Sequence, residues 1–181
     1  MHTDKEIIVA FKIEATKERA FKQLLNQFKQ QVYWQIRRIV ISHDDADDLC
    51  QNVFIKVWQK LGEFREDSAL SSWLYRIAHN ESLSFLRSKK NLTSLDEVMD
   101  RGGDLSHLVD SGVNFDGDKI EAKLQKALLL LPEKQRQTFN MRYYDDLKYE
   151  EISAILGTSV GALKANYHLA VKKIEESLKR D

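Results

Sequence analysis

Proline is almost missing from this chain, with one in 181 residues, and glycine is sparse at seven. So few turn-formers and helix-breakers suit an all-α fold. Cysteine is rarer still. The single Cys50 rules out an internal disulfide framework and suits a reducing cytoplasm. No apolar run approaches membrane-spanning length. Asp4, Lys5 and Glu6 stand just ahead of Ile7–Ala10, which is not a signal-peptide layout, so a cytoplasmic location is expected. The chemistry of an enzyme is also missing. His2, His43, His79, His107 and His168 are scattered, and no nucleophile–base–acid set, phosphate-binding glycine loop or zinc spacing appears. Asp44, Asp45, Asp47 and Asp48 do not make a calcium loop, because no glycine stands at the sixth position and no glutamate at the twelfth. The sequence therefore predicts no catalytic residue, cofactor, metal or small-molecule substrate.

A formal net charge of zero conceals a division. Residues 1–90 carry 15 Lys/Arg against 12 Asp/Glu, a net of +3. Residues 91–118 carry Arg101 against seven acids, a net of −6, and residues 119–181 carry 12 against 9, again +3. Two mildly basic segments thus flank an acidic one. The middle segment is rich in Asp, Ser and Gly with scattered apolar residues, which marks a linker. Three parts follow: a domain over 1–90, a linker over 91–118 and a second domain over 119–181. Mild basicity permits contact with nucleic acid but gives weak binding unaided, since nonspecific affinity scales with the phosphates neutralised.

Helical periodicity fills both domains. Ile7, Ile8 and Phe11 predict a short helix, and Ala20, Phe21, Leu24, Leu25, Phe28, Val32, Ile36, Ile39 and Val40 a long one from about Thr16 to Ile41. Ser42 is the expected N-cap of a helix over 44–61, whose first turn is acidic as the helix dipole favours. That helix has two stripes. Ala46, Leu49, Cys50, Val53, Val57 and Leu61 form a buried face, while Asp47, Gln51, Phe54 and Trp58 line another. Aromatics beside hydrogen-bonding groups have the composition of a protein interface, and equally that of a helix wrapped on two sides by core.

A loop over 62–72 is expected to lead into a helix over 73–90. Leu74, Ile77, Ala78 and Phe85 can pack there, leaving Ser72, Arg76, Asn80 and Arg87 on an outer stripe. Phe64, Trp73, Tyr75 and Phe85 interleave with Arg65, Arg76, Arg87, Lys89 and Lys90. Such a mixture suits single-stranded DNA, where rings stack on unpaired bases and cations hold phosphates. The same aromatics also serve as core beneath a basic surface.

After the linker, Ile120, Leu124, Ala127, Leu128 and Leu131 predict a helix stopped by Pro132, and a second begins with Pro132 at its first position. Phe139, Met141 and Tyr143 or Tyr144 are expected to close a small core. Two more helices follow. Ile152, Ile155 and Leu156 share a face that ends at Gly157, a left-handed stop, and Ser159 caps a helix burying Val160, Leu163, Tyr167 or Ala170, and Ile174. Lys164, His168 and Lys172 line its outer side. This is the layout of a helix-turn-helix whose second helix enters the DNA major groove, and also of a plain packing hairpin.

Three stretches together carry a specific resemblance: Asp44-Asp-Ala-Asp-Asp-Leu-Cys-Gln-Asn-Val-Phe-Ile-Lys-Val-Trp58, Phe64-Arg-Glu-Asp-Ser68 and Ser72-Trp-Leu-Tyr-Arg-Ile-Ala-His-Asn80. They resemble region two of the extracytoplasmic-function (ECF) sigma factors of bacterial RNA polymerase. Leu131-Pro-Glu-Lys-Gln-Arg-Gln-Thr-Phe139 and the helix-turn-helix are similar to region four. The resemblance implies a promoter-specificity subunit of two helical domains. Asp47, Asp48, Gln51, Phe54 and Trp58 would dock on the clamp coiled coil of the polymerase β′ subunit, and the second domain on the β flap. Phe64, Arg65, Ser68, Ser71, Trp73, Arg76, Asn80 and Arg87 would capture an extruded base of the −10 element. Lys164 and His168 match positions that read the −35 element, with Asn166 and Lys172 near the backbone. An anti-sigma partner and a linker path through the polymerase towards the RNA exit are also implied.

The pattern is not followed everywhere. Leu169 stands where many members have arginine, Ala165 where serine is usual, and Ser153 where alanine is common. A free-standing helix-turn-helix regulator is the alternative. It accounts for 119–181 but leaves Phe54, Trp58 and the aromatic-basic helix without a role.

Overall fold

A computed structural model of the chain describes residues 3–93 and 119–180, and every regular element among them is helical. The chain divides into two compact units, Met1–Asp96 and Glu97–Asp181. Of the acidic stretch expected as a linker, residues 91–93 continue the last helix of the first unit, and the rest lies outside the described residues.

The first unit opens with α1 (Asp4–Phe11). Its start is fixed by a capping box, in which the Thr3 hydroxyl accepts from the Glu6 N–H at 3.3 Å and the Glu6 carboxylate accepts from the Thr3 N–H at 2.9 Å. Ile7, Ile8 and Phe11 turn inward. A 3-10 turn, Glu14–Thr16, leads to α2 (Lys17–Val40), which is about 36 Å long at 1.5 Å per residue. Ala20, Leu24, Phe28, Val32, Ile36 and Val40 recur every four residues along its buried side, and they form the spine of the core. The chain then reverses over two residues. Ile41 adopts a φ of 67°, a conformation a β-branched residue rarely takes, and its side chain is buried. Ser42 next accepts from the Asp45 N–H and starts α3 (His43–Lys60).

After a 3-10 turn, Leu61–Glu63, and a short loop, α4 (Leu70–Thr93) completes the bundle. The helix begins earlier than its cap-like serines predict, because Leu70 is buried and the Ala69 carbonyl accepts from the Trp73 N–H. Ser72, expected on the outer stripe, is therefore inside the bundle. Ion pairs between Lys56 and Glu81 and between Lys89 and Asp45 tie α3 to α4, and the buried Gln35 amide donates to the Tyr75 carbonyl at 3.1 Å.

In the second unit, α5 (Lys119–Leu129), α6 (Glu133–Tyr143), α7 (Tyr149–Leu156) and α8 (Val160–Arg180) surround Ala127, Leu128, Leu131, Phe139, Ala170 and Ile174. Pro132 stands one position before the place expected for it. Its extended ψ of 142° makes it the cap of α6, and its carbonyl accepts from the Gln135 and Arg136 N–H groups. Arg136 is buried and donates to the carbonyls of Leu129 and Leu131, which the end of α5 leaves without helical partners. Phe139 is stacked on one side by Tyr143 and on the other by Tyr167, at centroid separations of 5.1 and 5.7 Å. Met141 joins the buried set, Tyr144 is half-buried, and Tyr143 ends the stack in solvent.

Candidate docking face and nucleic-acid interfaces

On the first unit, α2 and α3 enclose an open apolar groove of about 490 Å³. Leu25 and Phe21 form one wall and Phe54, Ile55 and Trp58 the other, with Asp47, Gln51 and Lys29 at the rim. The expected second stripe of α3 thus splits by chemistry. Asp47, Asp48 and Gln51 are exposed, whereas Phe54 is only 6% exposed and its ring belongs to the core. Trp58 is half-buried. Its indole meets the edges of Phe11 at 5.2 Å and Phe21 at 5.0 Å, and the Lys17 ammonium lies 5.1 Å from its centroid. Both aromatics are wide-core residues whose outer edges floor a groove.

Ile55, one residue beyond Phe54, is 55% exposed and is the apolar group the groove presents most openly. Sequence reasoning missed it. It lies on the solvent side of the second stripe, one turn beyond Gln51, and only its apolar character outside both stripes would have signalled it. At the groove's end the Asp47 carboxylate lies 3.6 Å from His43 Nε2, and the opposite ring nitrogen, Nδ1, is hydrogen-bonded to the Tyr33 hydroxyl at 2.7 Å.

A second surface runs from the loop before α4 along that helix. Arg65 and Ser68 are exposed in the loop, and Ser71 is half-buried at the helix start. Arg76, Asn80 and Arg87 are exposed along α4. Phe64 and Trp73 lie elsewhere than an exposed stacking platform would require. They are 7% and 9% exposed, and their rings pack on each other at 5.1 Å with an interplanar angle of 45°. Tyr75 is buried too, so three of the four aromatics are core, Phe85 is half-buried beneath Lys89 at 5.5 Å, and Arg65, Arg76, Arg87 and Lys89 are exposed. Burial decides this outcome, because each large ring gains more from the bundle interior than from water.

The third surface belongs to the hairpin of α7 and α8. Gly157 takes the left-handed conformation, with φ 63°, and the Ser159 hydroxyl accepts from the Ala162 N–H. Leu163, Ala170 and Ile174 are buried, and Ile152 of α7 is fully enclosed. Lys164, His168 and Lys172 are exposed along one side of α8, and Asn166 is half-buried. The Lys164 ammonium lies 5.8 Å from the Tyr149 ring, which links the two helices at their outer edge. Leu169 is 44% exposed on the same outer half of α8.

No group of three or more His, Cys, Asp or Glu able to hold a metal occurs among the described residues. No helix of the described residues is long and apolar enough to cross a membrane.

Two family models match, one on each helical unit: sigma-70 region 2 on residues 24–92 and sigma-70 region 4 on residues 121–174. The RNA polymerase sigma-H factor of Pseudomonas aeruginosa is 29% identical over 92% of this chain and 90% of its own length. The ECF RNA polymerase sigma factor SigW of Bacillus subtilis is 29% identical, over 96% and 98%. Among solved structures, the sigma factor RpoE in complex with the anti-sigma factor NepR from Bartonella quintana superposes with a TM-score of 0.73 at 27% identity, covering 89% of this chain and 98% of that one. A freestanding regulator would leave the region 2 match, with its α2–α4 bundle, unexplained. With both region models in order on the two units and relatives aligned along nearly the whole chain, this protein belongs to the sigma-70 family as an RNA polymerase sigma factor of the ECF type, a transcription initiation factor and not an enzyme.

Proposed function

We propose that this chain uses the α2–α3 groove to dock on core RNA polymerase, and uses α4 and α8 to hold the −10 and −35 elements of a promoter in the cytoplasm. The observation that carries the docking assignment is the groove itself. An apolar trough rimmed by Asp47, the amide Gln51 and Lys29, with the exposed Asp48 next to Asp47 in the chain, offers both a desolvating contact and charge-defined register. The β′ clamp is its expected occupant, and Phe54 and Trp58 act as its floor.

On α4, Arg76, Asn80 and Arg87, with Arg65, Ser68 and Ser71 of the loop, form the polar wall against which the nontemplate strand lies. Phe64 and Trp73 support this wall from beneath. The extruded base is received by the loop they brace, and opening it costs a few kcal/mol that the polymerase contact offsets. On α8, Lys164 and His168 face the −35 major groove while Asn166 and Lys172 steady the phosphates. The second unit meets the β flap. Residues 1–90 and 119–181 are the working domains and 91–118 the tether between them. Solved relatives held by anti-sigma factors support a protein inhibitor of this chain as well.

The docking reading is tested by substituting exposed groups only, since removing Phe54 or Trp58 would open the core. Asp47→Lys with Ile55→Glu is expected to weaken association with purified core enzyme at least tenfold while leaving the melting curve in place. Equal binding of variant and parent would remove the groove from the interface.

A further inference from the structure

The outward centre of α8 is chemically unusual for a surface that reads DNA. Gly161, Ala162, Ala165 and Leu169 stand there within one arc of about 100° on a helical projection, and all four are exposed. None carries a side-chain donor or acceptor. Lys164 and His168 lie to one side of that arc, and Lys172 falls within it about one turn beyond Leu169. Leu169, at 44% exposure, is the one side chain of the four large enough to reach a base edge, and it belongs to neither the buried cluster of this unit nor its half-buried margin. At that exposure Leu169 leaves apolar surface in water that contact with another apolar group would remove.

In the major groove an aliphatic side chain meets only one sequence-specific feature that it can recognise, the 5-methyl group of thymine. All four bases present polar groups there that a leucine leaves without a hydrogen bond, thymine O4 included, so the methyl is what offsets that cost at thymine alone. Ala162 and Ala165 flank Leu169 with methyl groups of their own and leave room for close approach. Gly161 adds to this, since a Cβ built on it would meet nothing within 4 Å, so no contact within the fold accounts for its small size.

We propose that Leu169 is a specificity-determining residue that selects thymine, through its 5-methyl group, within the −35 element. The inference rests on the assignment of α8 as the −35-reading helix and names what that helix reads at its centre. Lys164, His168 and Lys172 supply phosphate and purine contacts around that point.

The test uses the full chain with core polymerase and a duplex library randomised in both promoter elements, made once with thymidine and once with deoxyuridine throughout the −35 window. Bound duplexes are recovered and sequenced. The parent is expected to enrich thymine in at least one −35 position and to lose about fourfold of that enrichment in the deoxyuridine library, the worth of one buried methyl. Leu169→Ala is expected to show little preference between the two libraries, and Leu169→Arg to move the preference at that position towards guanine. Equal enrichment of thymine and uracil by the parent, or thymine enrichment that survives in Leu169→Ala, would overturn the inference while leaving α8 on the −35 element. Absence of any enrichment in that window, with Lys164→Ala and Lys172→Ala also binding like the parent, would overturn both readings together.

Discussion

His79 sits inside the first bundle at 3% exposure, and its Nδ1 finds no hydrogen-bond partner among the described residues. Burial, with a smaller contribution from the Arg87 guanidinium, pushes its pKa down from 6.5 to about 4. The imidazole is therefore neutral in the folded protein at every physiological pH. In the unfolded chain it takes up a proton near pH 6.5, so between about 6.5 and 4 the unfolded state binds more protons and stability falls as the pH falls. Above pH 6.5 nothing is lost. At pH 5 the loss from this one group is roughly 2 kcal/mol, a large share of the stability of a small domain. Chemical denaturation of the parent between pH 7 and 5 should show that slope, and His79→Gln should flatten it whatever its effect on stability at pH 7. A slope unchanged in the variant would place the acid sensitivity on other groups. Cys50 is also held in its neutral form by burial, with its pKa moved the opposite way. Burial raises its thiol pKa, ahead of the opposing Lys29 and the reinforcing Asp47, so it is a poor nucleophile at the groove wall.

At the scale of elements, the hairpin of α7 and α8 turns on two small residues whose roles differ. Gly157 has φ 63°, and an added Cβ would meet nothing within 4 Å, so Gly157→Ala costs only backbone strain, about 1 kcal/mol. Ser159→Ala removes the hydrogen bond to the Ala162 N–H and costs a similar amount. Gly161 has open space and lies within α8, so Gly161→Ala should stabilise by a few tenths of a kcal/mol. Melting curves should therefore move down by about 4–8 °C for each of the first two and slightly up for the third, given the size of this unit. A fall of that size in Gly161→Ala would mean that α8 packs on something outside the described contacts.

The turn was readable in the sequence because a glycine stop and a serine cap act locally, within four residues of their effect. The boundaries of α2 and α3 were readable for the same reason, in the Ser42 cap and the regular apolar spacing. What the sequence left open between core and interface depends on the bundle as a whole. Phe64, Trp73 and Tyr75 alternate with cations in the chain, yet their burial is set by helices distant in sequence, and Ser72 follows them inward. The same holds on α3, where Phe54 and Trp58 suit an interface or a core equally until the bundle encloses Phe54 and Phe11 and Phe21 pack on Trp58. Ile55 was invisible because exposure of an apolar residue is a property of what fails to cover it.

Considered as a whole molecule, the chain carries equal numbers of acidic and basic side chains, with its positive excess confined to two segments of +3 each. Few of those cations can reach phosphate at once. Each phosphate neutralised contributes about one unit of salt slope, so a chain with three or four such contacts per unit has little free energy with which to hold duplex DNA alone. Opening the −10 element is a further cost that an isolated bundle is not expected to offset, since Phe64, Trp73 and Tyr75 are committed to the core. On the proposed assignment of α4 and α8, the core enzyme would resolve both shortages by holding those surfaces close to their elements at high effective concentration. The free chain is therefore expected to bind promoter duplex no more tightly than about 10⁻⁶ M at physiological salt, and with little preference over unrelated duplex. Addition of core enzyme should bring sequence preference by at least 10³-fold, the lower end for specific complexes. Fluorescence anisotropy on labelled promoter, with and without core and over a salt series, measures both quantities. Nanomolar, sequence-selective binding by the chain alone would mean that one of its surfaces reads DNA with far more contacts than Lys164, His168, Lys172 and the α4 cations provide, and the division of labour with the polymerase would have to be redrawn.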